Sequence, residues 1–519
     1  MFKKLISVSL AIIMVFAMTV PCFAANEEYP TIYVTGAQTN NLFNAEGERI
    51  YPIGADVGAI FKEAIGPCIE QLLMGYLKGD YSDYTKELQS HIAPVFEKVK
   101  LDVNGEATDG SHPEYHSSTV AVSNKQSGYG MWDYRFWYDW RLSPLETAAE
   151  LEKYIDRVKE ATGKDKVNLV GRCYGANVIQ TYLTLHETHA LANVSDVAYY
   201  ASSVMGIDFM SALFSGEIVL DSKAVENFVE YYLEREKIIS DPTTEVLIIT
   251  LVEFLNQAKI LGIGTDALMS IVNELKDAII PAIVMEVVGS WPSYWSMVTP
   301  ELYIKSRDYI FDGREDEYAN FIAKTDKYYY DVELKAEETI LALEKKGINF
   351  YIFSKYGFPE IPLHKDARLQ SDSYTTVYRQ SFGATTAEYG KVLSDKYING
   401  IADKKYLSPD LKIDASTALL PQRSWFVKNL HHNDFAVLHD LTLEIMRYDL
   451  TVDSTKYPQY LYSTGTAVEI LEGPDEDATT PEAPPQVTYI RFFTAIINFF
   501  TKLFRGELNL KEIFSGLFD

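Results

Sequence analysis

Gly171-Arg172-Cys173-Tyr174-Gly175 places a thiol between two glycines, in flanking sequence that gives it a mechanical setting. Lys166-Val167-Asn168-Leu169-Val170 before it is apolar and β-branched and predicts a short buried strand; Ala176 to His186 after it predicts a helix. Strand, G-x-Nu-x-G turn and helix together make a nucleophile elbow, whose flanking glycines leave room for a strained turn that exposes the nucleophile at the sheet top. Cys173 is therefore the candidate nucleophile, and the competing assignment is a small buried structural cysteine. Arg172 beside it and the N-terminus of the following helix both favour a thiolate. A thiolate attacks acyl groups readily. Its turnover needs a histidine to take the thiol proton and later activate water or an alcohol, and a carboxylate to hold that histidine's tautomer. Downstream, Asp372 in Ser371-Asp372-Ser373-Tyr374-Thr375-Thr376-Val377 is the first well-placed acid, and His431 and His432 are the candidate bases. Asp414 is a second candidate acid, lying between the last two predicted strands.

The elements that must position these groups alternate between strand and helix. Pro30 to Gly36 predicts a strand ending in a glycine turn, and Tyr134 to Arg141 an aromatic strand. Leu145 to Ala161 predicts an amphipathic helix with Leu145, Ala148, Leu151, Ile155 and Val158 on one face. The elbow follows, then a strand at Val194 to Ala201. This order implies an α/β fold, a mainly parallel sheet with helices on both faces. From Met205 the strand signal stops. Long helical stretches such as Glu245 to Ile260 and Asp266 to Ile280 predict an all-helical cap over the sheet's top edge. Sheet pattern resumes at Ile348 to Ser354 and again at Ser424 to Val427. The resulting division is a first core half at 25–204, a helical cap at 205–345 and a second core half at 346–471. An acidic, proline-rich linker at 472–486 and an amphipathic tail at 487–519 complete it.

Residues 1–24 read as a secretory signal peptide: Lys3 and Lys4, an apolar stretch from Leu5 to Val20, and Cys22-Phe23-Ala24 at the cleavage site. Secretion is thus expected. The 519-residue chain has a net charge of −26, and loss of the two lysines with the leader deepens it to −28, which disfavours nucleic acid as a partner. Tyr489, Phe493, Ile496, Ile497, Phe500 and Phe504 share one face of the tail, which would lie in a membrane interface or mediate association. Without Cys22, only Cys68 and Cys173 remain, too few for a disulfide framework, and a bond between them would block the thiol of interest. His186-Glu187-Thr188-His189 finds no third metal ligand, and neither a phosphate-cradling glycine loop nor a dinucleotide fingerprint is present. No metal or cofactor is expected.

Nucleophile, acid, histidine is the chain order of an α/β-hydrolase. Tyr138-Asp139-Trp140-Arg141 with the helix after it, Val167 to Gly171, Tyr351 to Pro359, Asp372 with Thr376-Val377, and Trp425-Phe426-Val427 leading to His432 resemble the lecithin:cholesterol acyltransferase-like branch of lipases. Gly289-Ser290-Trp291-Pro292-Ser293-Tyr294-Trp295 resembles that branch's cap motif, and the resemblance spans Pro30 to Asp449. It implies an α/β-hydrolase fold that cleaves or transfers acyl chains of phospholipids and related esters. It also implies Cys173 as nucleophile, Asp372 as acid and His432 as base, with His431 the fallback. The oxyanion donors implied are the backbone N–H of Tyr174 and one from Ala37 or Gln38. The chain departs from the family where serine, commonly preceded by histidine, is replaced by Arg172-Cys173. The first turn, Thr35-Gly36-Ala37-Gln38-Thr39, also has a single glycine. A lipase-like acyl-ester hydrolase or acyltransferase is one expectation. A catalytically silent relative, binding a lipid or protein partner through cap and tail, is the other.

Overall fold

The computed structural model describes residues 28–53, 79–115, 132–218 and 279–473, apart from 362–363, 365–368 and 455, with scattered positions at 68–78 and at 276–277. The leader, the helix expected at 245–260, nearly all of that expected at 266–280, and the tail lie outside the described residues, as does the linker beyond its first two positions.

The strands are β1 (Thr31–Val34), β2 (Leu42–Phe43), β3 (Arg49–Tyr51), β4 (His112–Pro113), β5 (Tyr134–Phe136), β6 (Val167–Arg172), β7 (Val194–Tyr200), β8 (Asn349–Tyr356), β9 (Thr385–Thr386), β10 (Ile413–Asp414), β11 (Ser424–Lys428), β12 (Tyr460–Ser463) and β13 (Val468–Ile470). Eight of them form one sheet in the order β13-β12-β11-β8-β7-β6-β1-β5. Every pairing in it is parallel except that of β13 with β12. A mainly parallel sheet must be covered on both faces, so its central strands read as continuous apolar runs. β6 obeys this, with all six residues buried. Side chains alternate between the two faces: Ile32 and Val34 join one hydrophobic cluster and Tyr33 the other.

On the first face, α1 (Ser82–Phe96) precedes α2 (Pro144–Thr162) and α3 (Tyr174–Leu185). Sequence signals fix both ends of α2. Ser143 Oγ accepts the Leu145 N–H at 3.2 Å, Pro144 takes the first turn, and Gly163 at φ 69° returns its N–H to the Lys159 carbonyl at 2.8 Å. Leu151, Tyr154, Ile155 and Val158 bury its inner stripe, each worth about 1.5–3 kcal/mol of removed apolar surface. α3 packs between α2 and β6 and is buried along almost its whole length.

The described part of the cap is helical, as expected. It comprises α4 (Asp208–Phe214), a helical stretch at 279–287, α5 (Pro292–Trp295), α6 (Tyr303–Ile310) and α7 (Ala319–Asp331). Trp295 anchors it, stacked on Phe311 at 4.9 Å and edge-on to Phe214 at 5.0 Å. Next, α8 (Ala336–Lys345) packs on β8 and α3, so the chain has rejoined the sheet layer before the expected boundary at 345. The short helix α9 (Val377–Gln380) follows β8, and α10 (His439–Arg447) covers the second face.

The aromatic strand expected over Tyr134 to Arg141 is shorter than its composition suggests. It leaves the sheet after Phe136, because Asp139 Oδ1 accepts the Arg141 N–H at 3.0 Å and the Asp139 carbonyl the Leu142 N–H at 3.3 Å, closing a turn. The short strands β12 and β13 at one end of the sheet and the helix α1 have no counterpart in the sequence-based expectation.

Candidate active site

Cys173 sits between β6 and α3 with φ 51° and ψ −125°, a backbone conformation that costs a non-glycine residue on the order of 1–3 kcal/mol. The turn is enforced from outside. The Cys173 N–H bonds to the Tyr200 carbonyl at 3.0 Å, and a Cβ on Gly175 would lie 2.1 Å from the Val34 carbonyl oxygen, so no side chain fits there. The elbow read from the sequence is therefore present, with the thiol half-buried at the carboxyl end of the sheet.

Asp372 follows β8 and His432 follows β11, and the structure brings both to Cys173. His432 Nδ1 lies 2.7 Å from Asp372 Oδ2, its backbone N–H bonds the Asp372 carbonyl at 3.0 Å, and its ring lines the same cavity as Cys173, close enough to act on the thiol's charge. The other oxygen of Asp372 accepts the N–H groups of Tyr374 at 3.1 Å and Thr375 at 2.9 Å. Both oxygens of this fully buried carboxylate thus have partners, as a buried charge requires.

The electrostatics follow from that packing. Burial pushes the Cys173 thiol up, but His432, Arg172 and the Tyr174 N–H outweigh it and hold the thiol below its ordinary value. Burial opposes a charged His432, yet Asp372 and Cys173 together raise it to about 9. Burial also works against Asp372, and His432, Lys355 and the Thr375 N–H reverse it, leaving the carboxyl below its usual range. Each of the two groups Cys173 and His432 thus favours the charged form of the other.

Two residues not foreseen from the sequence hold the acid and base loops together. Lys355, wholly buried in β8, donates to the carbonyls of Asp434 at 2.7 Å, His432 at 2.9 Å and His431 at 3.4 Å. Burial lowers its pKa to about 7. Gln380, at the end of α9, accepts the Lys355 N–H at 2.7 Å and donates to the Thr375 carbonyl at 2.7 Å, tying the Asp372 turn to β8. A lysine inside the apolar run Asn349–Tyr356 was the available signal for the first; nothing in the sequence marks the second.

The motif Tyr138 to Arg141 braces the turn after β1 from behind. The Tyr138 hydroxyl donates to the Thr35 carbonyl at the end of β1, while Asn40 donates to the Tyr138 carbonyl at 2.9 Å and receives Trp140 Nε1 on its own carbonyl at 3.1 Å. Arg141 is buried against Asp139 at 2.6 Å. The cap motif seats on it, with the Trp140 and Trp291 rings edge-on at 5.1 Å. Between them the turn 36–39 faces the thiol. Gln38 takes φ 58°, accepts the Tyr51 hydroxyl at 3.0 Å and donates to the Tyr294 hydroxyl, which pins the turn to the cap.

Gly36, Ala37, Gln38, Cys173 and His432 line one cavity of about 530 Å³. Its inner wall is apolar and largely from the cap: Phe209, Met210, Leu213 and Phe214 on α4, with Val288 and Met297. Ala37 and Gln38, two of the expected oxyanion positions, line this cavity with Cys173, and Tyr174, the third, is the buried first residue of α3. The fallback residues sit elsewhere. His431 packs edge-on to Phe358, and the Asp372 bond belongs to His432. Asp414, in β10, accepts the Tyr397 hydroxyl at 3.0 Å and caps Ser416 at 2.9 Å. Neither Cys68, which is buried, nor Cys173 is in a disulfide. His186 pairs with Glu152, and His189 lies between Tyr182 and Asp156. Among the described residues no cluster could hold a metal ion, and no helix is long and apolar enough to cross a membrane. Compared with known proteins, the chain matches no family model and no curated protein.

Proposed function

We propose that this chain is an α/β-hydrolase with a cysteine nucleophile, which cleaves or transfers the acyl group of lipid-like esters through an acyl-thioester on Cys173. The observation that carries the reading is the connected set Cys173, His432 and Asp372 at the carboxyl end of a parallel sheet, opening into an apolar cavity. The sulfur attacks the ester carbonyl and forms the C–S bond, and the oxyanion develops beside the N–H groups of Tyr174 and of Ala37 or Gln38. As the C–O bond breaks, the imidazolium of His432 gives its proton to the leaving alkoxide. Water or an acceptor alcohol then attacks the thioester, His432 takes its proton, and the thiolate leaves. Asp372 stabilises His432 in its charged form without changing its own protonation state. The apolar wall from α4 suits an acyl chain, and a leader-directed, extracellular setting with the tail at a lipid surface fits such a substrate.

The test is pre-steady-state release of nitrophenol from a short-chain p-nitrophenyl ester by the native protein, Cys173→Ala and Cys173→Ser. A burst of one equivalent per chain in the native protein, absent in the alanine variant, is expected. Three indistinguishable traces, repeated on long-chain esters, would replace this reading with a non-catalytic binding role.

A further inference from the structure

The wall of the active-site cavity carries a cation that no acid neutralises. Arg172, the residue before the nucleophile, is 7% exposed and lines the cavity. Its guanidinium donates to Thr39 Oγ1 at 3.0 Å and approaches Asn433 Oδ1 at 3.4 Å, both uncharged, and lies 5.0 Å over the Phe435 ring. Its Nε, fully buried, has no acceptor among the described residues. Three other arginines meet a carboxylate, Arg141 with Asp139 at 2.6 Å, Arg379 with Asp208 at 3.0 Å and Arg423 with Asp449 at 2.6 Å. Arg135, against the same turn, is held like Arg172 by neutral groups, Asn40 Oδ1 at 2.7 Å and the Trp137 ring, but does not line the cavity. The charges around the thiol do not supply the missing anion. Asp372 is bonded to His432, and Cys173, whose thiol Arg172 helps to hold below its ordinary value, shares that influence with His432, so no carboxylate among the described residues meets the guanidinium. A desolvated guanidinium is costly unless an anion meets it, and its planar fork matches phosphate and carboxylate.

Gly36 bounds how far the charge lies from the nucleophile's side chain. A Cβ built there would lie 3.2 Å from Cys173 Cβ and 3.6 Å from Arg172 Nη2, so Cys173 Cβ and that guanidinium nitrogen are parted by no more than the sum of the two. We propose that Arg172 binds an anionic group of the acyl donor, a phosphate or carboxylate on the alcohol side and a few bonds from the scissile ester, so that the site selects anionic over neutral esters. The cap's apolar wall takes the acyl chain, and the anion lies at the Thr39–Asn433 rim. This rests on the acyl-transfer reading above. It differs from a purely thiolate-stabilising role, in which loss of Arg172 slows every donor alike.

The experiment uses the full chain without its leader and three donors: 4-(butyryloxy)benzoate, its neutral methyl ester, and 4-(butyryloxy)phenyl phosphate. The native protein is expected to favour the anionic donors over the methyl ester by about tenfold or more in kcat/KM, mainly through KM. Arg172→Met should bring that ratio close to one, and Arg172→Lys should keep part of it. The faster of the two anionic donors identifies phosphate or carboxylate as the group read. A native ratio near one, or a ratio unchanged in Arg172→Met, overturns the proposal. A calorimetric arm separates it from the catalytic reading: Cys173→Ala should bind the ether 4-butoxybenzoate more tightly than its methyl ester, and adding Arg172→Met should remove the preference. If no protein turns over any donor, the acyl-transfer reading fails, and this binding preference alone decides the role of Arg172.

Discussion

Replacing His432 with glutamine should strip Cys173 of its largest charge partner while keeping a polar side chain in the same space. In the native site His432, raised to about 9, faces a thiol held below its ordinary value, so each favours the charged form of the other. Two unit charges about 4 Å apart at an effective dielectric of about 20 interact by about 4 kcal/mol, at most roughly a thousandfold in thiolate population. Part of that is recovered, because a more basic thiolate is a better nucleophile, with a Brønsted slope of about 0.4–0.5. Alkylation of Cys173 at pH 7 should therefore slow by roughly 5- to 50-fold in His432→Gln, and its pH profile should move to higher pH. The assay is iodoacetamide labelling from pH 5 to 10, followed by mass spectrometry of the Cys173 peptide. Cys68 provides an internal control: it is fully buried, and burial with Glu87 nearby raises its thiol to about 11, so it should stay unlabelled in the folded protein. Equal rates and identical pH profiles for native and variant would refute the ion-pair argument.

Three further outcomes follow from the same contacts. Asp372→Asn leaves the turn at 372–375 intact but offers His432 an amide in place of the carboxylate 2.7 Å away; steady-state kcat should fall by about 10²- to 10⁴-fold with an unchanged circular dichroism spectrum. Gly175→Ala drives a Cβ to within 2.1 Å of the Val34 carbonyl oxygen, which backbone cannot evade cheaply. Overpacking of that kind should cost about 3 kcal/mol or more, lowering the calorimetric Tm by roughly 6 °C at about 2 °C per kcal/mol. Lys355 binds its proton less tightly folded, at about 7, than unfolded, so above pH 7 the unfolded chain holds the extra proton and this residue's contribution to stability rises with pH. Urea midpoints of native and Lys355→Met, compared from pH 6 to 9, should shift progressively in favour of the native protein, and kcat of the variant should fall while KM holds.

The parts of this arrangement that were legible in the sequence are those whose signal is local. The elbow needed only an apolar strand, two glycines and a helix within twenty residues. α2 announced itself through Ser143, Pro144 and Gly163 as much as through its stripe. Asp372 and His432 were reachable because each sits just after a readable apolar strand, β8 and β11. Signals that depend on partners far along the chain stayed hidden. The hydrogen bond of Gln38 to Tyr294 joins residues 256 positions apart, and the three carbonyls beneath Lys355 lie nearly eighty residues from it. β12 and β13 are short strands of four and three residues, too brief to show a period. α1 was masked by Pro94 within it and by a mixed, charged composition whose apolar stripe is Tyr84, Leu88, Ile92 and Phe96. Asp139 explains the opposite error. Its side chain closes a turn with Arg141, so an aromatic run that suits a strand leaves the sheet after three residues.

The most direct measurement is the location of the acyl group itself. The native protein, mixed with a short-chain p-nitrophenyl ester and quenched in acid within the burst, should carry one acyl mass on the peptide containing Cys173, removable by neutral hydroxylamine as a thioester is. An adduct on another residue, or no adduct while nitrophenol is released at native rate, would contradict Cys173 as the acylated nucleophile.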